Sequence, residues 1–161
     1  EIQTRGEILA FTARNIRAIL PGSLVGICSY SPALRTLSFH CLEGTPEDLR
    51  VLNRELGHDP IGIALAFSAG PDMQTLLSAR QIAAAPGTIG LFISPESRDI
   101  CTRIGDRCNF GRSYVMGLPS PDGTIDSVLL QLKADTDLQK PEMIEALINQ
   151  AGLALARVQQ R

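Results

Sequence analysis

The last third of the chain, residues 112–161, constrains its fold more than any other stretch. It predicts a strand (Arg112–Pro119), a turn (Ser120-Pro121-Asp122-Gly123), a second strand (Thr124–Lys133) and one long helix, about Leu138–Gln160. Pro121 presets φ for a type I turn, and Gly123 supplies the left-handed residue that closes a three-residue hairpin with a bulge. The strands carry Tyr114, Val115, Met116 and Leu118, then Ile125, Val128, Leu129, Leu130 and Leu132. Both faces of this hairpin are therefore partly apolar, and each needs a cover. The helix opens after Lys140, with Pro141 in its first turn and Glu142 near the positive end of the dipole. Ile144, Leu147, Ile148, Ala151, Ala154, Leu155 and Val158 recur at helical spacing and form one stripe. No Gly or Pro closes that stripe before Arg161.

Upstream, Ile2–Leu20 reads as an amphipathic helix with Ile8, Leu9, Thr12, Ile16, Ile19 and Leu20 on one side, ended by Pro21-Gly22. Ser23–Tyr30 and Arg35–Glu43 read as a hairpin around Ser31-Pro32-Ala33-Leu34. Pairing Tyr30 with Arg35 puts Leu24, Cys28, Leu37, Phe39 and Cys41 on one face, and Val25, Ile27, Thr36, Ser38 and His40 on the other. Thr45-Pro46-Glu47-Asp48 is a helix start: a hydroxyl N-cap, Pro at the first position and an acid three residues on. That helix turns Leu49, Leu52 and Leu56 inward and stops at Gly57. The middle then predicts a strand at Pro60–Phe67, a short helix at Asp72–Arg80 and a strand at Gln81–Ala85. Ser94-Pro95-Glu96 starts a further helix with the stripe Ser97, Ile100, Cys101, Ile104 and Cys108.

The 161 residues suit one domain with a real core, and the formal charge of −2 argues against a general nucleic-acid or anionic-membrane surface. No apolar run approaches the eighteen or so residues of a membrane span, and no signal-peptide pattern occurs at the start. Both ends fall within helix patterns. The expectation is one domain, residues 1–161, excised from a longer multidomain protein.

Antiparallel strands with helices at both ends imply an α+β fold, its terminal helices on one sheet face and its middle section over the other. Leu20-Pro21-Gly22-Ser23, Tyr114–Leu132 and the run from Pro141 through Glu142, Met143 and Ile144 to Ala151 resemble a GAF domain. More narrowly, with Leu56–Gly62 and Pro86-Gly87, the chain is similar to GAF domains among the PAS domains of archaeal sensor histidine kinases. The resemblance covers essentially the whole chain. It implies a GAF-like, PAS-related antiparallel sheet of about five or six strands. It also implies a cytoplasmic sensory or regulatory module that binds a small ligand or dimerises and signals through its carboxyl-terminal helix. Adjacent PAS or kinase domains of the same chain are the implied partners. Asp126 departs from the pattern, since GAF domains often place a small Gly there.

Chemistry is thinly represented. Cys28, Cys41, Cys101 and Cys108 form no C-x-x-C pair, and all four fall on apolar stripes, as buried thiols do. Cys101 and Cys108 lie seven residues apart on one helix, roughly 10 Å in rise, too far for a disulfide. The alternative is a GAF-type redox enzyme similar to the free methionine sulfoxide reductases, although their cysteine-bearing motif is not present. His40 offers a possible ligand for a metal, haem or bilin, against a plain backbone-bonded role. It lacks the helical Cys-His setting of bilin-attaching GAF domains. His58 suits the negative end of the preceding helix. Arg98, Arg103, Arg107 and Arg112 alternate with Glu96, Asp99 and Asp106 as a solvated face does. Phosphate loops, H-E-x-x-H and G-x-S-x-G are absent, so the domain itself is expected not to be an enzyme, and no cofactor is specified.

Two surfaces follow from this reading. The terminal helices are expected over Leu24, Cys28, Leu37 and Phe39, leaving a ligand site lined by Ile27, Ser38, His40, Ile100 and Ile104. Gly62, Gly70, Gly87 and Gly90 would make its roof adaptable. A parallel homodimer is expected along Ile144, Leu147, Ala151, Ala154 and Val158, where small residues allow close helix approach. The competing reading has the first helix cover this stripe within one monomer, and a third leaves a structural GAF domain with an empty pocket.

Overall fold

The computed structural model describes residues 3–86, 98–120 and 123–159. Six strands form one open antiparallel sheet in the order β3-β2-β1-β6-β5-β4. They are β1 (Leu24–Ser31), β2 (Thr36–Glu43), β3 (Ala64–Ala66), β4 (Ala83–Ala85), β5 (Phe110–Leu118) and β6 (Ile125–Lys133). The helices are α1 (Arg5–Ile19), α2 (Pro46–Leu56), α3 (Pro71–Leu77), α4 (Arg98–Cys108) and α5 (Pro141–Gln159). The fold is α+β, as the order of elements requires.

Local chemistry explains most boundaries. Thr4 and Glu7 form a reciprocal capping box at the start of α1, which satisfies two otherwise unpaired N–H groups. Thr45 caps α2, Pro46 opens it, and Gly57 ends it with φ of 82°. Asn109, at φ 55°, turns the chain straight from α4 into β5. The edge strands are shorter than the sequence suggests. Pro60–Ile63 lies beside β2 with only an isolated Phe39–Ile61 bridge, so the ladder proper spans Ala64–Ala66. The proposed start of α4 at residues 94–97, together with Gly87, Gly90, Pro121 and Asp122, lies outside the described residues.

Two apolar layers sandwich the sheet. On one face α1 and α5 cover Val25, Ile27, Met116, Val128, Leu130 and Leu132. On the other, α2, α3 and α4 roof Leu24, Cys28, Tyr30, Leu37, Phe39 and Leu129. The terminal helices therefore take the face opposite to the one expected. Both faces of β1 are apolar, so alternation separates two sets of side chains without saying which helices cover which. The hairpin register also shifts: Tyr30 pairs with Leu37, because Arg35 at φ 53° lengthens the turn and its N–H bonds Ser31 C=O at 2.8 Å. A bulge then places His40 between the pairs Cys28–Phe39 and Ile27–Cys41. The extra residue moves Cys41 off the Leu24 face and under α1, where its thiol meets Leu9 C=O.

The α1 and α5 helices lie side by side and antiparallel. Arg5, the first residue of α1, bonds Asp126 at the start of β6, whereas Gly22, past the end of α1, lies near Lys133 at the other end of that strand. From that far end α5 returns, and its Gly152 abuts Pro119, with 3.0 Å from an added Cβ to the proline ring. Beyond Gly152 the helix runs on to Gln159, about 10 Å at 1.5 Å per residue.

Candidate functional site

The residues expected to line one cavity are divided by the sheet. Ile27 is fully buried under the terminal helices, and Ser38, paired with Ser29, points to that same face. Ile104 and the half-buried Ile100 belong to the roof side. His40 is exposed at the bulge. No single site unites them, because the roof helices and the Ile27 face are on opposite sides of six strands. Beneath the roof, Tyr30, Leu37, Leu52, Leu77 and Ile104 are each under 2% exposed and fill the space. Tyr30 meets Phe67 edge-on at 5.7 Å between centroids, and its hydroxyl accepts the Ala69 N–H at 2.9 Å. The nearby void lined by Leu24, Gly26, Ser113, Leu129 and Gln131 is about 10 Å³, room for one water.

The helix-pair residues fare differently. Ile144 and Ala151 are buried within the monomer against the α1 layer, which supports the competing reading for that part of the stripe. Leu147, Ala154 and Val158 are half-buried at its border. Leu153 and Met143 on α5 and Phe11 on α1 are 63%, 50% and 52% exposed.

A polar cluster that the sequence reading did not assemble gathers around Asp126, where α1 begins. The Asp126 side chain is 1% exposed and pairs with Arg5 at 2.9 Å. It also accepts from the Ser29 hydroxyl at 2.5 Å and the Thr124 hydroxyl at 3.2 Å, so the buried charge is well compensated. His40 Nε2 lies 2.6 Å from Ser29 Oγ. Because the single Ser29 proton goes to the carboxylate, this network assigns Nε2–H as donor to Ser29. The order of groups matters chemically. A histidine that donates to the serine is no base for it, so the hydroxyl is not activated for attack. Local desolvation of the ring at the bulge, reinforced by the Arg5 charge, holds the His40 pKa below its usual value despite the opposing pull of Asp126. One signal was available for this cluster: a carboxylate inside the apolar run Ile125–Leu132 needs a partner.

The cysteines sit in settings that suppress thiolate. Burial raises Cys28, and the Asp126 charge adds to it. Burial and Glu43 push Cys41 up to about 11, burial and Asp48 push Cys108 up to about 12, and burial raises Cys101. No disulfide joins any two of them. Among the described residues no group of three His, Cys, Asp or Glu side chains is arranged to hold a metal ion.

A second buried charge joins the roof to β6. Lys133 Nζ bonds Asp48 in the first turn of α2 and the Cys108 C=O at the end of α4, both at 2.6 Å, and lies 4.9 Å above the Phe110 ring. Glu55 on α2 holds Arg103 and Arg107 of α4.

This arrangement has close counterparts among solved structures. The GAF domain/HD domain protein of Geobacter sulfurreducens matches with a TM-score of 0.62 at 15% identity, over 98% of this chain and 95% of that one. The fold is that of a GAF domain. The cyanobacteriochrome TePixJ GAF domain matches with a TM-score of 0.65 at 12% identity, over 100% and 94%. The GAF domain of a two-component sensor histidine kinase from Bacillus halodurans matches with a TM-score of 0.60 at 11% identity, over 99% and 98%. No protein-family model matches the sequence, and no curated protein is significantly similar to it. Among the described residues no helix is long and apolar enough to cross a membrane.

Proposed function

We infer that this GAF fold serves as a sensory or regulatory module of a signal-transduction protein, working as a pair of copies and transmitting a change through α5. The observation that carries this reading is the outer border of the helix pair. Met143, Leu147, Ala154 and Val158 follow one another at spacings of four and seven, half-buried or exposed beside α1. A second copy laid along this border would bury them in coiled-coil fashion. The antiparallel course of α1 and α5 brings the start of one and the far end of the other to the same end of the sheet, so movement between paired copies would be felt there by both helices. The neighbour from a two-component sensor histidine kinase supports a kinase context for the parent protein.

Association is favoured over a preformed small-molecule pocket, because among the described residues the protein's own side chains fill the face under the roof. Binding or pairing without turnover is favoured over redox chemistry, because burial holds the thiols protonated. Sedimentation equilibrium tests the pairing: dimer is expected at tens of micromolar, and Ala154→Glu should dissociate it. A monomer unaffected by that change would refute it. For the redox alternative, turnover of peroxide or methionine sulfoxide by the purified chain is the deciding assay, with none expected.

A further inference from the structure

The passage from α3 to β4 belongs to both cores. Leu77, at the end of α3, is fully buried under the roof, whereas Ile82 packs on the α5 side of the sheet. Between them the backbone is pinned to the sheet. The Ser127 hydroxyl donates to Leu77 C=O at 2.5 Å, and the Gly117 N–H donates to Ala79 C=O at 2.7 Å. Gly117 is required there: a Cβ would stand 2.8 Å from the Ser78 Cα. The next fixed point is on α5, where Glu145 Oε2 accepts the Ile82 N–H at 2.9 Å. Ile82 precedes the β4 ladder, which begins at Ala83, so this bond can open without unpairing any strand.

We propose that the Glu145–Ile82 hydrogen bond is a latch through which the α3–β4 passage sets the seating of α5, carrying displacements of the roof to the helix pair. This rests on the reading of α5 as the output element. Its chemistry suits a switch: the acceptor is a charged carboxylate on the second turn of the helix, and the donor is a backbone group fixed to the roof segment. Glu142, one turn earlier on α5, is exposed and makes no such bond among the described residues, so it provides a matched control.

Amide hydrogen exchange on the whole chain tests the latch. Glu145→Ala should speed exchange of the Ile82 amide by about tenfold to a hundredfold, the range for losing a bond to a charged group. Glu145→Gln should have a smaller effect and Glu142→Ala none. The decisive measurement is coupling. Leu77→Val, mild enough to keep the fold, should speed exchange across residues 144–150, and that acceleration should vanish in the Glu145→Ala background. Acceleration that is equal in both backgrounds, or absent from both with Leu77→Val and with Leu77→Ala alike, overturns the latch. Leu77→Ala gives a stronger push in the same direction if the milder change is silent. Sedimentation of the same variants reads the pairing separately, so the latch can fail while the paired sensor stands.

Discussion

The helix-pair layer and the roof layer bury similar apolar side chains on opposite faces of one sheet, but they are held in different ways. On the helix-pair side, α1 and α5 span the sheet and contribute long stripes, Ile8 to Leu20 and Ile144 to Leu155, to one continuous core. The roof is made of three short helices and extended segments, and individual polar contacts fasten it: Lys133 to Asp48 and Cys108, Glu55 to Arg103 and Arg107, Ser127 to Leu77, Tyr30 to Ala69. A layer of long elements opens as a unit, whereas a layer of separately fastened pieces can open piece by piece. This difference suits the roof to local change and the helix pair to transmission.

The largest test strikes the helix pair. Ile144→Ala removes a fully buried side chain and should cost about 2–5 kcal/mol in urea unfolding, with exchange rising across α1 and the whole sheet. Ile104→Ala removes an equally buried side chain from the roof, and the contrast predicts that its added exchange stays within α2, α3 and α4. Equal spread in the two variants would remove the distinction.

A smaller effect is expected where the roof meets the sheet most closely. Gly117→Ala forces a Cβ against the Ser78 backbone and should cost about 1–3 kcal/mol by overpacking, with the change concentrated in residues 77–85. Asp126→Asn probes the polar cluster at the start of α1. Losing the charge that Arg5 faces should cost about 1–3 kcal/mol and speed exchange in the first turn of α1 more than in the roof.

The smallest effect is with pH. The folded state holds His40 below its ordinary pKa, so the folded chain binds this proton less readily than the unfolded chain does. Its contribution to stability is complete above the unfolded value, about 6.5, and falls as pH drops from there through the lower folded value. His40→Gln should flatten that part of the stability–pH curve, as read by thermal unfolding between about pH 5 and 8.

Much of this fold is legible without the structure, and the legible parts share a cause. Thr45-Pro46 and Gly57 bound α2, Pro21-Gly22 ends α1, and Pro141 opens α5, because each signal acts on backbone groups within a few residues of itself. Gly123 adopts φ 74°, as the hairpin reading requires. The pairing of β5 with β6 follows from the short connection between two apolar runs. The candidate site was not legible. Strand alternation alone puts Ile27, Ser38 and His40 on one face, but the bulge at His40, the lengthened turn at Arg35 and the cover over each face separate them from Ile100 and Ile104.

The sequence by itself therefore determined the order and ends of the elements and the antiparallel hairpins, since those depend on neighbours along the chain. It also determined that both sheet faces need a cover. Only the tertiary structure decided that α1 and α5 take the Ile27 face, that Ile144 and Ala151 are spent within the monomer, and that Asp126 meets Arg5, Ser29 and Thr124. Those outcomes turn on the packing of segments as much as 121 positions apart, as Arg5 and Asp126 are. Side-chain volume and compensation of buried charge select among arrangements that local pattern leaves equivalent.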